Sequence, residues 1–260
     1  MTRWFIHGLI IATLGLAPTA VAQAPAEDGE WVCPPCDAPC HDVAYDGPGT
    51  CPVCRMALIR KGSPTKVAIL LYPGVELLDF AGPGEVFSVA GFEPYTVAAT
   101  VEPVVSQGFV TVTPQYSIEN CPAPDILVVP GGGVSRVTGN EATMRWIRET
   151  AAQADHVLSV CTGALVLAAA GLLDGLEATT HRSALEGLRR AAPGATIVEG
   201  RRWVDNGKIL TAAGVSAGID LSLHFVGRIR GPEAATQAAS YMEYRWEPDA
   251  EAATGASRTD

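Results

Sequence analysis

Cys161 stands at the junction of two short apolar runs, which gives its thiol the setting of a nucleophile. The run 157–160 before it is typical of a strand, and the small-residue run 162–170 after it is typical of a helix. A side chain at such a strand-to-helix turn projects from the sheet edge, as in a nucleophile elbow. The first amides of the helix and its dipole favour thiolate over thiol. The sequence therefore predicts a reactive Cys161, and the alternative is a buried, inert cysteine.

Five of the seven cysteines lie within one short segment, residues 30–61. Two C-P-x-C motifs separated by fourteen residues supply four thiols: Cys33, Cys36, Cys51 and Cys54. Two such turns facing each other form a tetrahedral site for zinc or another thiophilic metal. Cys40 and His41 are possible extra ligands. A segment this small has little core, so a metal would supply its folding free energy. The alternative is a disulfide-linked knot with one thiol left over.

The first 22 residues have the features of a secretory signal peptide. Arg3 precedes a mostly apolar run, and the segment ends on Ala20-Val21-Ala22, a small-x-small cleavage signal. The apolar run is short for a membrane span, so we expect no stable membrane insertion. These residues predict an exported protein, periplasmic in a Gram-negative cell. A retained N-terminal anchor is the alternative.

The composition of the chain excludes one class of partner. The 260 residues carry a net charge of −10 and are 48% hydrophobic. Because a nucleic-acid binder carries a basic face and this chain has no run of Lys or Arg, we expect no nucleic acid among its partners. The apolar content is enough for a substantial core, and the chain has room for one or two folded domains.

Beyond a short linker at 61–65, apolar runs alternate with helical patterns. Five strands are predicted, at Val67–Tyr72, Thr96–Val101, Asp125–Val129, His156–Val160 and Ile209–Ala212. Six helices are predicted, at Gly84–Ala90, Glu141–Gln153, Gly163–Ala170, Ser183–Ala191, Ser216–Arg228 and Glu233–Tyr244. Asp205-Asn206-Gly207 adds a hairpin turn before the last strand. The pattern predicts an α/β fold, a parallel sheet sandwiched by helices, over residues 65–247, followed by a polar, disordered tail at 248–260.

Three predicted loops meet at the carboxyl edge of this sheet, where open α/β sheets place their sites. One carries Asp79, one carries Gly131-Gly132-Gly133, and the third carries Cys161. The bare backbone of Gly131 and Gly132 offers amides to an oxyanion, although it is also what a simple turn requires. Asp79 offers a carboxyl group to the thiol, although it also fits the cap of a helix beginning near Pro83.

The domain resembles the DJ-1/PfpI superfamily. The matching pieces run in order from about residue 66 to 245: V-A-I-L-L-Y-P-G-V, L-D-F-A-G-P-G-E-V-F, D-I-L-V-V-P-G-G-G, S-V-C-T-G-A-L, A-T-T-H and T-A-A-G-V-S-A-G-I-D. The resemblance implies a flavodoxin-like fold related to class I glutamine amidotransferase domains, no cofactor in this domain, and a homodimer. Within the superfamily the chain is most similar to the isonitrile hydratase branch and to the amidotransferase-like halves of some AraC-type regulators.

The resemblance implies roles for four residues: Cys161, Asp79, Thr162 and His181. Cys161 matches the elbow cysteine, and Asp79 matches the acid beside it. Thr162 follows the cysteine as in the hydratase branch, whereas the peptidase-like branch has histidine there. His181 matches a histidine near the cysteine, and its alternative is a structural role. Arg182 stands where the hydratase branch has an aromatic residue.

The segment 30–61 resembles the small heavy-metal-binding domains attached to bacterial metal-handling proteins. Their pattern is C-P-M-H followed by G-x-C-P-x-C-G-M-x-L. Cys36 stands here in place of the usual His, and Arg55 in place of Gly, while Met56 and Leu58 match. The exchange of His for Cys favours an all-thiolate site.

The leading functional prediction is a cysteine-dependent enzyme that resembles isonitrile hydratase, which adds water to a small isocyanide to give an N-substituted formamide. Two alternatives use the same thiol. One is a non-enzymatic periplasmic metal or oxidative-stress protein with Cys161 as a sensor. The other is a glyoxalase-like or deglycase-like activity.

Overall fold

The computed structural model describes residues 30–33, 40, 43–47, 49–56, 58–60 and 65–248. The predicted signal peptide, Cys36, His41 and the tail beyond 248 lie outside the described residues. In the segment 30–61, three short strands form an antiparallel sheet in the order β2-β1-β3. These strands are β1 (Trp31–Val32), β2 (Ala44–Tyr45) and β3 (Ile59–Arg60).

Residues 65–248 are built around a seven-stranded sheet in the order β13-β14-β10-β9-β4-β5-β8. Its strands are β4 (Lys66–Leu70), β5 (Glu93–Ala98), β8 (Tyr116–Ser117), β9 (Ile126–Val129), β10 (His156–Val160), β13 (Trp203–Asp205) and β14 (Ile209–Ala212). All neighbours are parallel except β13 and β14, which form the predicted hairpin. Successive residues of β4, β9, β10 and β14 are buried, so both faces of the sheet are covered.

Two smaller two-stranded sheets stand outside the central one. They pair β6 (Val104–Ser106) with β7 (Val110–Val112), and β11 (Glu177–Ala178) with β12 (Thr196–Ile197). The hairpin β6–β7 has no apolar alternation long enough to be seen in the sequence.

Between residues 65 and 248, seven α-helices accompany the strands: α1 (Leu77–Val89), α2 (Ser135–Thr138), α3 (Glu141–Gln153), α4 (Gly163–Ala169), α5 (Leu185–Ala191), α6 (Ala217–Arg230) and α7 (Pro232–Tyr241). The helices α1, α6 and α7 pack against one another. A second set of contacts joins α4 to α2 and α5. The α/β prediction is confirmed. Within the described residues, no helix is long and apolar enough to span a bilayer.

The predicted start of the first helix was wrong. The helix was expected to begin near Pro83, at Gly84, but α1 begins at Leu77 and runs through Pro83, which lacks an amide hydrogen. Pro83 is buried, and α1 packs along α6, so tertiary packing outweighs the one lost hydrogen bond. As a result Asp79 lies inside the first turn of α1 rather than before it.

Candidate active site and candidate metal centre

The backbone at Cys161 has the strained geometry of an elbow. Cys161 follows β10 directly and has φ +56°, in the left-handed region that a side chain disfavours. Three hydrogen bonds hold it there. Its amide donates to the carbonyls of Ala213 at 2.7 Å and Ala212 at 3.2 Å, and its carbonyl accepts the Thr180 hydroxyl at 2.7 Å. Gly163 opens α4, and a Cβ there would lie 2.1 Å from the Val129 carbonyl oxygen. The turn therefore presses tightly against β9.

Asp79 is fully buried beside the elbow. Its Oδ2 accepts a hydrogen bond from the Gly131 amide at 2.9 Å. Its Oδ1 is also buried and has no hydrogen-bond partner within the described part of the chain. The residue preceding α1 is Glu76, so Asp79 does not cap this helix. A buried carboxyl oxygen without a protein partner is a place where a substrate or water can exchange a proton.

Gly131 is the point at which the elbow and the acid meet. A Cβ built on Gly131 would lie 2.6 Å from the Thr162 amide nitrogen and 2.8 Å from Asp79 Oδ2. Only glycine fits between these groups. The structure therefore brings Asp79, Thr162 and Gly131 together next to Cys161, as the sequence predicted.

The two predicted oxyanion donors are already engaged. The Gly131 amide donates to Asp79, and the Gly132 amide donates to Thr162 Oγ1 at 2.9 Å. These amides hold the acid and the threonine in place, which differs from the role expected from the sequence. The amides that face the Cys161 sulfur are those of Thr162 and Val215, and both favour its charged form. Val215 follows β14 and carries no motif that would have identified it.

The environment of Asp79 holds its proton unusually tightly. Burial raises the pKa of Asp79 from 3.8 to about 7, and the nearby charge of Glu76 adds to the effect. The Gly131 amide and the neighbouring Cys161 thiol act in the opposite direction without overcoming it. The carboxyl group is therefore poised to accept or give a proton near neutral pH.

The expectation of a lowered thiol pKa was wrong. Burial and the negative charge of Asp79 raise the pKa of Cys161 from 9.0 to about 11, although the amides of Thr162 and Val215 lower it. The amides at the helix terminus do favour the thiolate, but desolvation outweighs them, and the burial of a sulfur cannot be judged from a strand–Cys–helix pattern. The side chain of Cys161 is therefore a protonated thiol at neutral pH, and a base must remove its proton before the sulfur can act as a nucleophile.

His181 lies close to this edge of the sheet but is held by its own neighbours. Its Nδ1 is 2.7 Å from Ser183 Oγ, and its ring packs against Gly214. In the part of the chain that the structure describes, no hydrogen bond joins His181 to Cys161 or Asp79. The geometry fits the structural alternative better than proton transfer to the thiol.

Three residues that the sequence did not single out make contacts with the segments that flank Asp79 and Gly131. The Tyr72 hydroxyl donates to the Pro130 carbonyl at 2.8 Å, directly before Gly131. Glu76, at the entry of α1, accepts a hydrogen bond from Gln107 at 2.5 Å. Ser106 Oγ in the hairpin β6–β7 donates to the Val75 carbonyl at 2.7 Å. The hairpin thus supports the start of the helix that carries Asp79.

A second cluster of side chains lies in the segment 30–61. The sulfurs of Cys33, Cys40, Cys51 and Cys54 all lie within 4.8 Å of one another. Cys33 and Cys54 are 3.1 Å apart, and Cys33 and Cys40 are 3.8 Å apart. A disulfide needs about 2.05 Å. A tetrahedral zinc site with Zn–S bonds of about 2.3 Å has sulfurs about 3.8 Å apart. The arrangement fits a tetrathiolate metal site.

Cys40 completes the cluster of thiols among the described residues, and the predicted ligand Cys36 lies outside them. Three of the four predicted ligands, Cys33, Cys51 and Cys54, are in the cluster, and Cys40 joins them. Cys36 and His41 lie outside the described residues. The donor set of four soft thiols, three of them buried, suits zinc or another thiophilic metal.

The turn that holds Cys51 and Cys54 is closed by backbone hydrogen bonding and passes through a left-handed residue. Arg55, at the position where the related domains have glycine, has φ +67°, in the left-handed region. The Cys51 amide donates to the Met56 carbonyl at 2.8 Å, which closes the turn. Burial opposes ionisation of Cys51, but hydrogen bonds from the Tyr45 hydroxyl and from backbone amides lower its pKa to about 6. The environment therefore favours a thiolate there.

Comparison with known protein families supports the division into a metal module and a larger domain. The profile of the DJ-1/PfpI family matches residues 65–228, and that of the heavy metal binding domain matches residues 30–61. Both families are the ones that the sequence motifs indicated.

Individual relatives point in the same direction. The chain is 39% identical to isonitrile hydratase of Pseudomonas putida, over 69% of this chain and 78% of that protein. It is 29% identical to the HTH-type transcriptional regulator CdhR of Pseudomonas aeruginosa, over 65% of this chain but only 52% of the regulator. A crystal structure of a ThiJ/PfpI family protein from Pseudomonas syringae superposes with a TM-score of 0.67 at 33% identity, covering 72% of this chain and 78% of that one.

Proposed function

Because the chain belongs to the DJ-1/PfpI family and holds a buried carboxyl group beside its elbow thiol, we propose that it hydrates small isocyanides to N-substituted formamides. The observation that carries the proposal is the pairing of Asp79 with Cys161. The acid has a pKa of about 7 and the thiol a pKa of about 11, so the charged acid can take the proton of the thiol during attack. Similarity to isonitrile hydratase of Pseudomonas putida supports the choice of substrate.

In the first half of the reaction, the Cys161 sulfur attacks the terminal carbon of the isocyanide. The thiol proton passes to Asp79 as the C–S bond forms, and Asp79 returns it to the same carbon. The product is a thioimidate, in which the former isocyanide carbon carries one hydrogen and the sulfur. The amides of Thr162 and Val215, which face the sulfur, stabilise negative charge on it.

In the second half, water adds to the thioimidate carbon. Asp79, again a carboxylate, takes one proton from the water and gives it to the substrate nitrogen as the C=N double bond opens. The C–S bond then breaks and the carbonyl forms, while Asp79 takes the hydroxyl proton and returns it to the sulfur as the formamide leaves. The sum is one isocyanide and one water consumed for one formamide, with no oxidant or reductant.

Rapid-quench mass spectrometry tests this pathway. During turnover of a small alkyl isocyanide, the Cys161 peptide gains the full mass of the substrate, because a thioimidate contains all of its atoms. The Cys121 peptide is the internal control and stays unmodified. Turnover of methylglyoxal without turnover of isocyanides would contradict the hydratase proposal in favour of a glyoxalase-like activity. Selective peroxide oxidation of Cys161 in a protein with neither activity would favour the sensor alternative.

For the segment 30–61, we propose a structural zinc ion bound by four thiolates. The four converging sulfurs support this assignment, as does the match to the heavy metal binding domain. A zinc ion there would supply folding free energy to a segment with a very small core, since the buried cluster of its described residues consists of Leu58 and three of the cysteines. Export to the periplasm and assembly as a homodimer remain proposals, and cell fractionation and sedimentation test them.

A further inference from the structure

A cavity of about 350 Å³ opens beside the candidate active site, at the carboxyl ends of β4 and β5. Its wall includes Tyr72 after β4, Glu102 and Val104 after β5, and Arg136 and Asn140 at α2 and α3. Its lining includes none of Cys161, Asp79, Thr162 and Gly131. Its volume falls in the range of small-ligand pockets, about 300–1,000 Å³. The cavity is therefore separate from the thiol and large enough for a small organic molecule.

The lining is apolar between two opposite charges. Leu71, Val104, Val137 and the ring of Tyr72 contribute buried apolar surface. Arg136 and Glu102 lie on the same lining, yet their side chains form no ion pair with each other or with any other described residue. An arginine and a glutamate on one apolar lining, neither of them in an ion pair with a described residue, fit a molecule with a charge at each end.

Further hydrogen-bonding groups lie on the arginine side. Asn140 uses its side-chain oxygen to cap the Thr143 amide at 3.1 Å, which leaves its NH₂ group without a partner in the described structure. Thr143 is buried and also lines the cavity. Arg136, the Asn140 NH₂ group and the Thr143 hydroxyl all donate hydrogen bonds, and such a set recognises a carboxylate.

We propose that this cavity binds a small ω-amino acid, with its carboxylate at Arg136 and Asn140 and its ammonium group at Glu102. The short aliphatic chain of the ligand would cover Leu71, Val104 and Val137. Tyr72 belongs both to the cavity and to the surroundings of the candidate active site. Its ring lines the cavity, and its hydroxyl holds the Pro130 carbonyl next to Gly131, which binds Asp79.

Isothermal titration calorimetry of the full-length protein tests the proposal with 3-aminopropanoate, 5-aminopentanoate and 6-aminohexanoate. We expect at least one of them to bind with a Kd of about 1 mM or below. Pentanoate and pentylamine each lack one charge and should bind about tenfold or more weakly than 5-aminopentanoate. No binding by the three amino acids at about 10 mM, or equal binding by the singly charged compounds, would overturn the proposal.

Variants locate the ligand. Arg136→Gln and Glu102→Gln each remove one charge from an exposed side chain and should weaken binding about tenfold. Ala99→Trp places a large ring into the cavity from an exposed position and should abolish binding. Arg145→Gln, on the exposed surface of α3 outside the cavity, is the matched control and should bind normally. Cys161→Ala should also bind normally, and loss of binding in that variant alone would place the ligand at the thiol and overturn the separate site.

Discussion

Asp79 and Cys161 form a pair in which the carboxyl group loses its proton before the thiol does. Burial raises the pKa of both groups, to about 7 for Asp79 and to about 11 for Cys161, and the charge of Asp79 contributes to the higher value of the thiol. Near neutral pH the pair therefore carries at most one negative charge, and that charge lies on Asp79. A carboxylate next to a protonated thiol is the arrangement that general-base activation of a nucleophile requires.

Asp79→Asn should make Cys161 more reactive toward iodoacetamide at pH 8. Removing the carboxylate charge lowers the pKa of Cys161, so a larger fraction of the sulfur is thiolate, and we expect a rise of about tenfold or less. Mass spectrometry of the Cys161 peptide against time measures the rate. Glu85→Gln, an exposed position on the same helix, is the control and should leave the rate unchanged. A slower reaction in Asp79→Asn would contradict the assigned electrostatics.

Isocyanide hydration should fail as the pH falls through about 7. The reaction needs Asp79 as a carboxylate to accept the thiol proton, and its pKa is about 7. Below that value kcat/KM should fall about tenfold per pH unit. In Glu76→Gln the fall of kcat/KM should begin at a lower pH, because the charge of Glu76 helps to raise the pKa of Asp79. Glu119→Gln is the control, and an unshifted profile in Glu76→Gln would argue against the role of Glu76.

The free energy of unfolding should depend on pH because Asp79 titrates differently in the folded and unfolded states. Its folded pKa lies above its ordinary value of 3.8, so the folded state binds more protons than the unfolded state between about pH 4 and pH 7. Its contribution is fully present below pH 4 and is lost as the pH rises through about 7, which corresponds to at most about 4 kcal/mol. Urea unfolding at pH 4.5 and pH 8 should show wild type losing stability relative to Asp79→Asn. A constant difference between the two proteins would show that Asp79 titrates normally.

Cys40→Ser should remove one thiolate from the metal site. With Co²⁺ in place of zinc, the sulfur-to-metal charge-transfer band should lose about a quarter of its intensity, since three thiolates remain of four. Cys36→Ser and Cys121→Ser should keep the full band. The opposite pattern, a loss in Cys36→Ser with no change in Cys40→Ser, would identify Cys36 as the fourth ligand.

Much of the fold was predictable because the strands of the central sheet are buried on both faces. Such strands of a parallel sheet appear in the sequence as continuous apolar runs. The bounds of β10, β14 and α3 agree with the predictions, since the two strands are short continuous apolar runs and α3 begins directly after the capping residue Asn140. The start of α1 at Leu77 was missed because the packing of α1 against α6 cannot be read from the local sequence. The hairpin β6–β7 was missed because three-residue strands have too few residues to show a period.

The site was predictable in its members but not in its energetics. Sheet topology alone places Asp79, Gly131 and Cys161 at one edge, and the structure confirms that placement. The raised pKa of Cys161 depends on how deeply the sulfur is buried, and the use of the Gly132 amide depends on the orientation of Thr162. Both are three-dimensional properties that no spacing in the sequence encodes.

Formamide production followed by NMR at pH 8 tests directly whether Cys161 and Asp79 together hydrate an isocyanide. We predict that wild-type protein converts a small alkyl isocyanide to its N-substituted formamide, that Cys161→Ala produces none above the uncatalysed rate, and that Asp79→Asn loses about 100-fold or more. Cys121→Ser should match wild type. No formamide from wild-type protein, or full activity in Cys161→Ala, would contradict the account.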